Sequence, residues 1–147
     1  MHWSIPEKLI LILIMVLSCS FKQLEPQKIT WKTLSTTVFT EYFEENKNIW
    51  TMEGSFPIEI NNLNGTQVEI TGYVLPLDVK GDSYVLSAYP YSSCYFCGGA
   101  GPESIVGLEL KKNEGIIKTD AVKTFTGIFK LKKRPKNGFY FTLTNAK

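Results

Sequence analysis

The sequence predicts a mainly β protein: a small, OB-like five-stranded Greek-key barrel preceded by one helix. Three observations carry this. Apolar residues alternate with period two in five segments between Val68 and Leu143. Turn residues separate those segments, and glycines interrupt two of the alternating runs, as the bends of a small closed barrel require. An open antiparallel sheet packed on the helix is the alternative architecture.

The elements follow in order. Residues 1–18 read as a leader: Leu9 to Leu17 are uninterruptedly apolar, follow Lys8 and end at Ser18-Cys19. A helix of that run would be about 13.5 Å long, less than half of the ~30 Å bilayer core. A short charged start, a short apolar run and a small residue before the break describe a secretory signal. Val16-Leu17-Ser18-Cys19 also resembles a bacterial lipobox, which makes Cys19 the lipidation site. An ordinary signal peptide and a buried N-terminal helix are the competing readings. Residues 19–28 form a tether and 29–147 a single domain.

Thr30 to Lys47 is the predicted helix, since Trp31, Leu34, Val38 and Tyr42 recur at spacings of three and four. Asn61 to Gly65 is turn chemistry, after which the period changes to two. Val68, Ile70, Gly72 and Val74 share a face of the first strand, and Tyr84, Leu86 and Ala88 a face of the second. The third carries Val106, Leu108 and Leu110, the fourth Phe125, Gly127, Phe129 and Leu131, and the fifth Phe139, Phe141 and Leu143. Lys80-Gly81-Asp82, Asn113-Glu114-Gly115 and Asn137-Gly138 mark turns, the last suited to a tight hairpin.

Composition narrows the function classes. A chain that is 44% hydrophobic and 13% aromatic is not disordered. A formal charge of +2 is too small to imply nucleic-acid binding, and no nucleic-acid partner is expected. Lys130, Lys132, Lys133, Arg134 and Lys136 gather on one shoulder, which reads as a solvated turn or as a contact for anionic lipid headgroups. The one histidine, His2, lies in the leader, so the exported domain lacks the imidazole of a Ser-His-Asp or Cys-His triad. This chain is therefore read as a non-enzymatic module rather than an enzyme.

The chemistry gathers in one loop, Tyr89 to Glu103 (YPYSSCYFCGGAGPE), between the second and third strands. Cys94-Tyr95-Phe96-Cys97 is a CxxC followed by Gly98-Gly99. Two thiolates on a tight turn can chelate an ion, and glycine lets backbone N–H groups approach the sulfurs. A structural zinc site takes four ligands, so Cys94 and Cys97 would need Glu103, Asp78 or a partner, whereas two thiolates suit copper(I). No cofactor is required by the sequence; zinc or copper is the candidate if the pair holds an ion. Cys94 and Cys97 could instead form a disulfide that staples the loop, or cycle as a thiol–disulfide oxidoreductase, although redox CxxC motifs open a helix in a βαβ unit.

Gly72-Tyr73-Val74-Leu75-Pro76-Leu77, the loop SSCYFCGGAGPES and Thr30-Trp31-Lys32-Thr33-Leu34 resemble the bacterial domain-of-unknown-function family 3299, over residues 28 to 147. The resemblance implies a small exported protein or lipoprotein, facing the periplasm from a membrane, with an envelope transporter or another protein as partner. Many members carry cysteine-histidine in this loop where this chain has CxxC-Gly-Gly, so a histidine-containing metal site does not carry over.

Overall fold

The computed structural model describes residues 25–78, 83–111, 117–136 and 138–147. The leader, Cys19 and the first part of the tether lie outside the described residues, as do the expected turns at Lys80-Gly81-Asp82 and Asn113-Glu114-Gly115 and Asn137 of the third.

Five strands close the barrel: β4 (Gln67–Pro76), β5 (Tyr84–Ser87), β6 (Ile105–Leu110), β7 (Ala121–Leu131) and β8 (Phe141–Ala146). They run in the order β4-β5-β6-β8-β7, and β7 pairs back with β4. All neighbours are antiparallel except β6 and β8, which are parallel. Counted from β4, the sheet order is first, second, third, fifth, fourth and back to first. A short β1 (Gln27–Lys28) adds to β4 in parallel.

Closure depends on β4 serving two neighbours. It pairs with β7 along Gln67–Val74 and with β5 along Tyr73–Pro76. Gly72 sits at the change of partner, where a Cβ would lie 2.6 Å from the Ser87 carbonyl oxygen and 2.8 Å from the Trp31 ring. Only glycine admits that approach. Most predicted inward positions are the core: Val68, Ile70, Val74, Leu86, Val106, Phe125, Phe129, Phe141 and Leu143 are all buried in one cluster, whereas Phe139, expected beside Phe141 and Leu143, packs on a separate cluster.

The long predicted helix does not form. Its first turn alone is helical, α1 (Trp31–Leu34), with Thr30 Oγ1 accepting from the Thr33 N–H at 3.3 Å. The chain then turns into β2 (Val38–Glu44) and β3 (Ile49–Ser55), an antiparallel two-stranded sheet separate from the barrel. The spacing Trp31, Leu34, Val38, Tyr42 fits a helix, but Thr36 to Phe43 is dense in β-branched and aromatic residues, which favour strands. Asn48, at φ 54°, takes the left-handed conformation that closes the turn. A second one-turn helix, α2 (Ile58–Asn61), leads into β4 and buries Ile60.

The fifth strand also starts later than expected. Leu131 pairs with Phe141, so residues 132–140 form a projecting connection rather than a tight hairpin. Gly138, at φ 82°, lies within it. Among the described residues no helix is long and apolar enough to cross a membrane.

Candidate functional site

The cysteine loop leaves β5 at Ser87 and returns to β6 at Ile105 through three 3-10 turns, Tyr91–Ser93, Tyr95–Cys97 and Pro102–Ser104. Its shape follows from local hydrogen bonds. The Cys97 and Gly99 N–H groups both donate to the Cys94 carbonyl, at 3.1 and 3.2 Å. Gly98 turns left-handed at φ 74°, and a Cβ on Gly99 would lie 2.7 Å from the Ser93 carbonyl oxygen. The two glycines after the second cysteine are thus required by the turn itself. The loop is pinned outside by Asp120, whose Oδ1 accepts from the Tyr91 N–H at 2.8 Å.

The two cysteines are free thiols in unequal settings. Cys94 is fully buried (0% exposed) and Cys97 is exposed. Cys97 Sγ donates to the Tyr91 carbonyl at 3.1 Å. Desolvation raises the Cys97 pKa above the ordinary thiol range, and the hydrogen bond with the neighbouring Cys94 thiol adds to the rise. Cys97 is therefore held as a thiol, not as a poised thiolate.

Cys94 packs with Leu75 and Val85, with Phe139 against them, in a cluster separate from the barrel core. Val74 and Leu86 belong to the core, so Leu75 and Val85, their strand neighbours, face outward. The cysteine loop consequently covers the outside of the first two barrel strands, and Phe139 covers Gly107 on the third. In OB barrels the face of the second and third strands is a common ligand platform. Here part of it is occupied by the chain's own loop.

The expected oxygen ligands are not brought to the thiols. Among the described residues, no three His, Cys, Asp or Glu side chains gather as a metal-ligating group, so neither Glu103 nor Asp78 joins Cys94 and Cys97. The Glu103 carboxylate folds back over Gly101, where a Cβ would collide with it. Asp78 lies just past the end of β4 and is exposed. The two sulfurs, the pair that the disulfide alternative would join, are unbridged.

A second surface escaped the sequence reading. The β2–β3 hairpin is braced at its root: the Gly54 N–H donates to the Lys133 carbonyl at 2.9 Å and the Tyr140 hydroxyl to the Met52 carbonyl at 2.8 Å. Phe39 meets the Tyr140 ring edge-on at 4.8 Å. Arg134, from the basic shoulder, donates Nε and Nη2 to Glu53 Oε2 and stacks 4.6 Å over the Tyr42 ring. A 620 Å³ groove lies between the hairpin and the 132–140 connection, floored by Tyr42, Thr51 and Arg134. The legible signal was the β-branched and aromatic density of Thr36 to Phe43, ending at Asn46-Lys47-Asn48.

This chain has the fold of a DUF3299 family protein. The crystal structure of that protein, from Pseudomonas aeruginosa, is similar with a TM-score of 0.53 over 82% of this chain and 92% of the other, at 14% sequence identity. At that identity the likeness is one of fold. It agrees with the resemblance carried by Gly72–Leu77 and the cysteine loop. No family model and no curated protein matches the sequence.

Proposed function

We propose that this chain is a bacterial envelope lipoprotein, anchored through Cys19, that works as a non-enzymatic binding or accessory module for a membrane transport system. The leader's short apolar run ending in Ser18-Cys19 supports export and anchoring, and the family resemblance supports the transporter as partner. The partly covered OB face supports a ligand other than nucleic acid.

The observation that carries the reading is the pair of free, adjacent thiols, Cys97 exposed and Cys94 buried beside it. With two sulfur donors and no third ligand gathered among the described residues, the pair suits a soft ion of low coordination, copper(I) ahead of four-coordinate zinc. Binding to both sulfurs displaces two protons, so affinity rises with pH. The raised Cys97 pKa weakens the rival reading as a thiol–disulfide oxidoreductase, which needs a ready thiolate.

The test is metal content. Reduced protein loaded with copper(I) or zinc(II) and desalted is compared with the Cys94→Ser/Cys97→Ser variant. One copper per chain in the parent and none in the variant is expected; equal metal in both overturns the proposal. A reversible reduction potential within the range of cellular thiol buffers, with no metal bound, would favour the oxidoreductase.

A further inference from the structure

The β2–β3 hairpin carries its apolar residues where a barrel has no use for them. At its tip Trp50 is 71% exposed, Ile49 47% and Phe43 43%, with the Phe43 and Trp50 rings paired at 5.5 Å. Phe39, Met52 and Gly54 lie on the same face as Phe43 and Trp50 by register, and they pack on the core. One continuous face is therefore buried at the root and bare at the tip. The root bonds to Lys133 and Tyr140 hold it in that pose.

Register also locates the chain's upstream end. β1 runs parallel to β4 with Gln27 beside Val68, and Val68 pairs with Gly127, four residues before β7 ends at Leu131. Glu25 and Pro26 thus lie at the end of the barrel from which the 132–140 connection and the hairpin project. Seven residues lie between Cys19 and Gln27, and the eight steps give a reach of at most about 26–29 Å. A seven-residue strand such as β2 spans ~23 Å. A surface that holds Cys19 is within reach of the hairpin tip.

Charge decides what kind of surface. Residues 38–55 and 132–136 together hold five Lys or Arg against four Glu, and the cations Lys47 and Arg134 are paired with Glu44 and Glu53. This near balance neither draws an anionic sheet of lipid nor repels one. Indole and phenyl groups, by contrast, settle at the headgroup level of bilayers.

From these observations we propose that the hairpin tip, Phe43, Ile49 and Trp50, seats in the headgroup region of the bilayer that carries the anchor. The proposal rests on anchoring through Cys19. It makes the hairpin a second attachment that orients the barrel, and it assigns the contact to aromatic insertion rather than to the basic shoulder.

The full chain, extracted from membranes and reconstituted in phosphatidylcholine vesicles, tests it through Trp50 fluorescence, read as the parent minus Trp50→Phe. Bromines placed high on the acyl chains should quench at least half of that emission, and the loss should persist at high salt and without anionic lipid. Unquenched Trp50 on a vesicle-bound chain overturns the proposal. So does quenching that appears only with phosphatidylglycerol and vanishes in salt, which would assign the contact to the lysines. Acylation of Cys19, read by mass and by release of Cys19→Ala, tests the anchoring separately. Should the chain prove unacylated, the same quenching is read at millimolar lipid; quenching there supports the hairpin contact, and its absence overturns it.

Discussion

The cysteine loop and the β2–β3 hairpin are both excursions from one barrel, and both leave aromatic rings in solvent (Tyr89, Tyr91 and Phe96 in the loop), yet they are seated differently: the loop lies along an outer sheet face, and the hairpin is held at its root. The loop folds back: Cys94 is sealed against Leu75, Val85 and Phe139. The hairpin reaches out, leaving Trp50, Ile49 and Phe43 in solvent. The CxxC motif places one of its two thiols in a packed cluster, and the stretch whose spacing fits a packed helix offers a surface. A chemical motif in a loop is thus no measure of exposure; the deciding quantity is whether the loop has an apolar sheet face beneath it.

Substitutions at the two regions should separate them sharply. The largest effect belongs to Tyr140, buried where the hairpin root meets the barrel. Tyr140→Ala removes its ring contact with Phe39 and its bond to Met52, and should cost about 3–5 kcal/mol in urea unfolding. A loss below about 1 kcal/mol would show that the hairpin is not braced there.

Next come changes inside the loop. Cys94→Ser places a hydroxyl among Leu75, Val85 and Phe139, and should cost about 1–3 kcal/mol. Gly99→Ala drives a methyl against the Ser93 backbone, at a cost of similar size. Gly99→Ala should also expose Cys94, so that both thiols of the native protein alkylate; a Cys94 that stays protected in that variant would break the link between glycine and burial.

The smallest stability effects lie at the exposed positions. Trp50→Ala should stay within about 0.5 kcal/mol of the parent, because the side chain leaves solvent for solvent. Cys97→Ser should likewise leave the midpoint close to the parent, so a large shift would mean that its bond to Tyr91 holds the loop.

Titration sharpens the contrast further. The folded-state pKa values of Cys97 and Tyr140 are both raised, chiefly by desolvation. A raised acid favours the folded state while it is protonated, and that contribution is present in full below the unfolded pKa. It is lost as pH climbs from there through the folded value, above about 8.5 for the thiol and about 10 for the phenol. Stability should fall over that alkaline range, and Cys97→Ser should flatten the first part of the fall. Alkylation of Cys97 should require a higher pH than that of an unstructured cysteine peptide; equal rates at equal pH would contradict the raised value.

Legibility differed by element for physical reasons. The strands from Val68 onward were readable because each buries alternate residues in the barrel core, and Gly72 and Gly127 mark close approaches there: Gly72 to Ser87 and Trp31, Gly127 to Leu143 and Thr144. The segment from Val38 to Lys47 reads as helix because Val38, Tyr42 and the α1 residues satisfy a helical period by chance. Pairing with β3, whose rows Phe39–Gly54, Glu41–Met52 and Phe43–Trp50 cannot be seen in either strand alone, overrides it. The thiol pair was legible as a motif; the separation of Glu103 and Asp78 from it was not.

What the sequence by itself determined is local: a period of two in five segments, glycines at the tight approaches and a CxxC turn. The tertiary structure alone decided which face each segment shows. Alternation gives a strand two faces without saying what covers the second. That was settled by residues distant in sequence, Cys94 and Phe139 over Leu75 and Val85, and Lys133 with Tyr140 beneath the root of the hairpin.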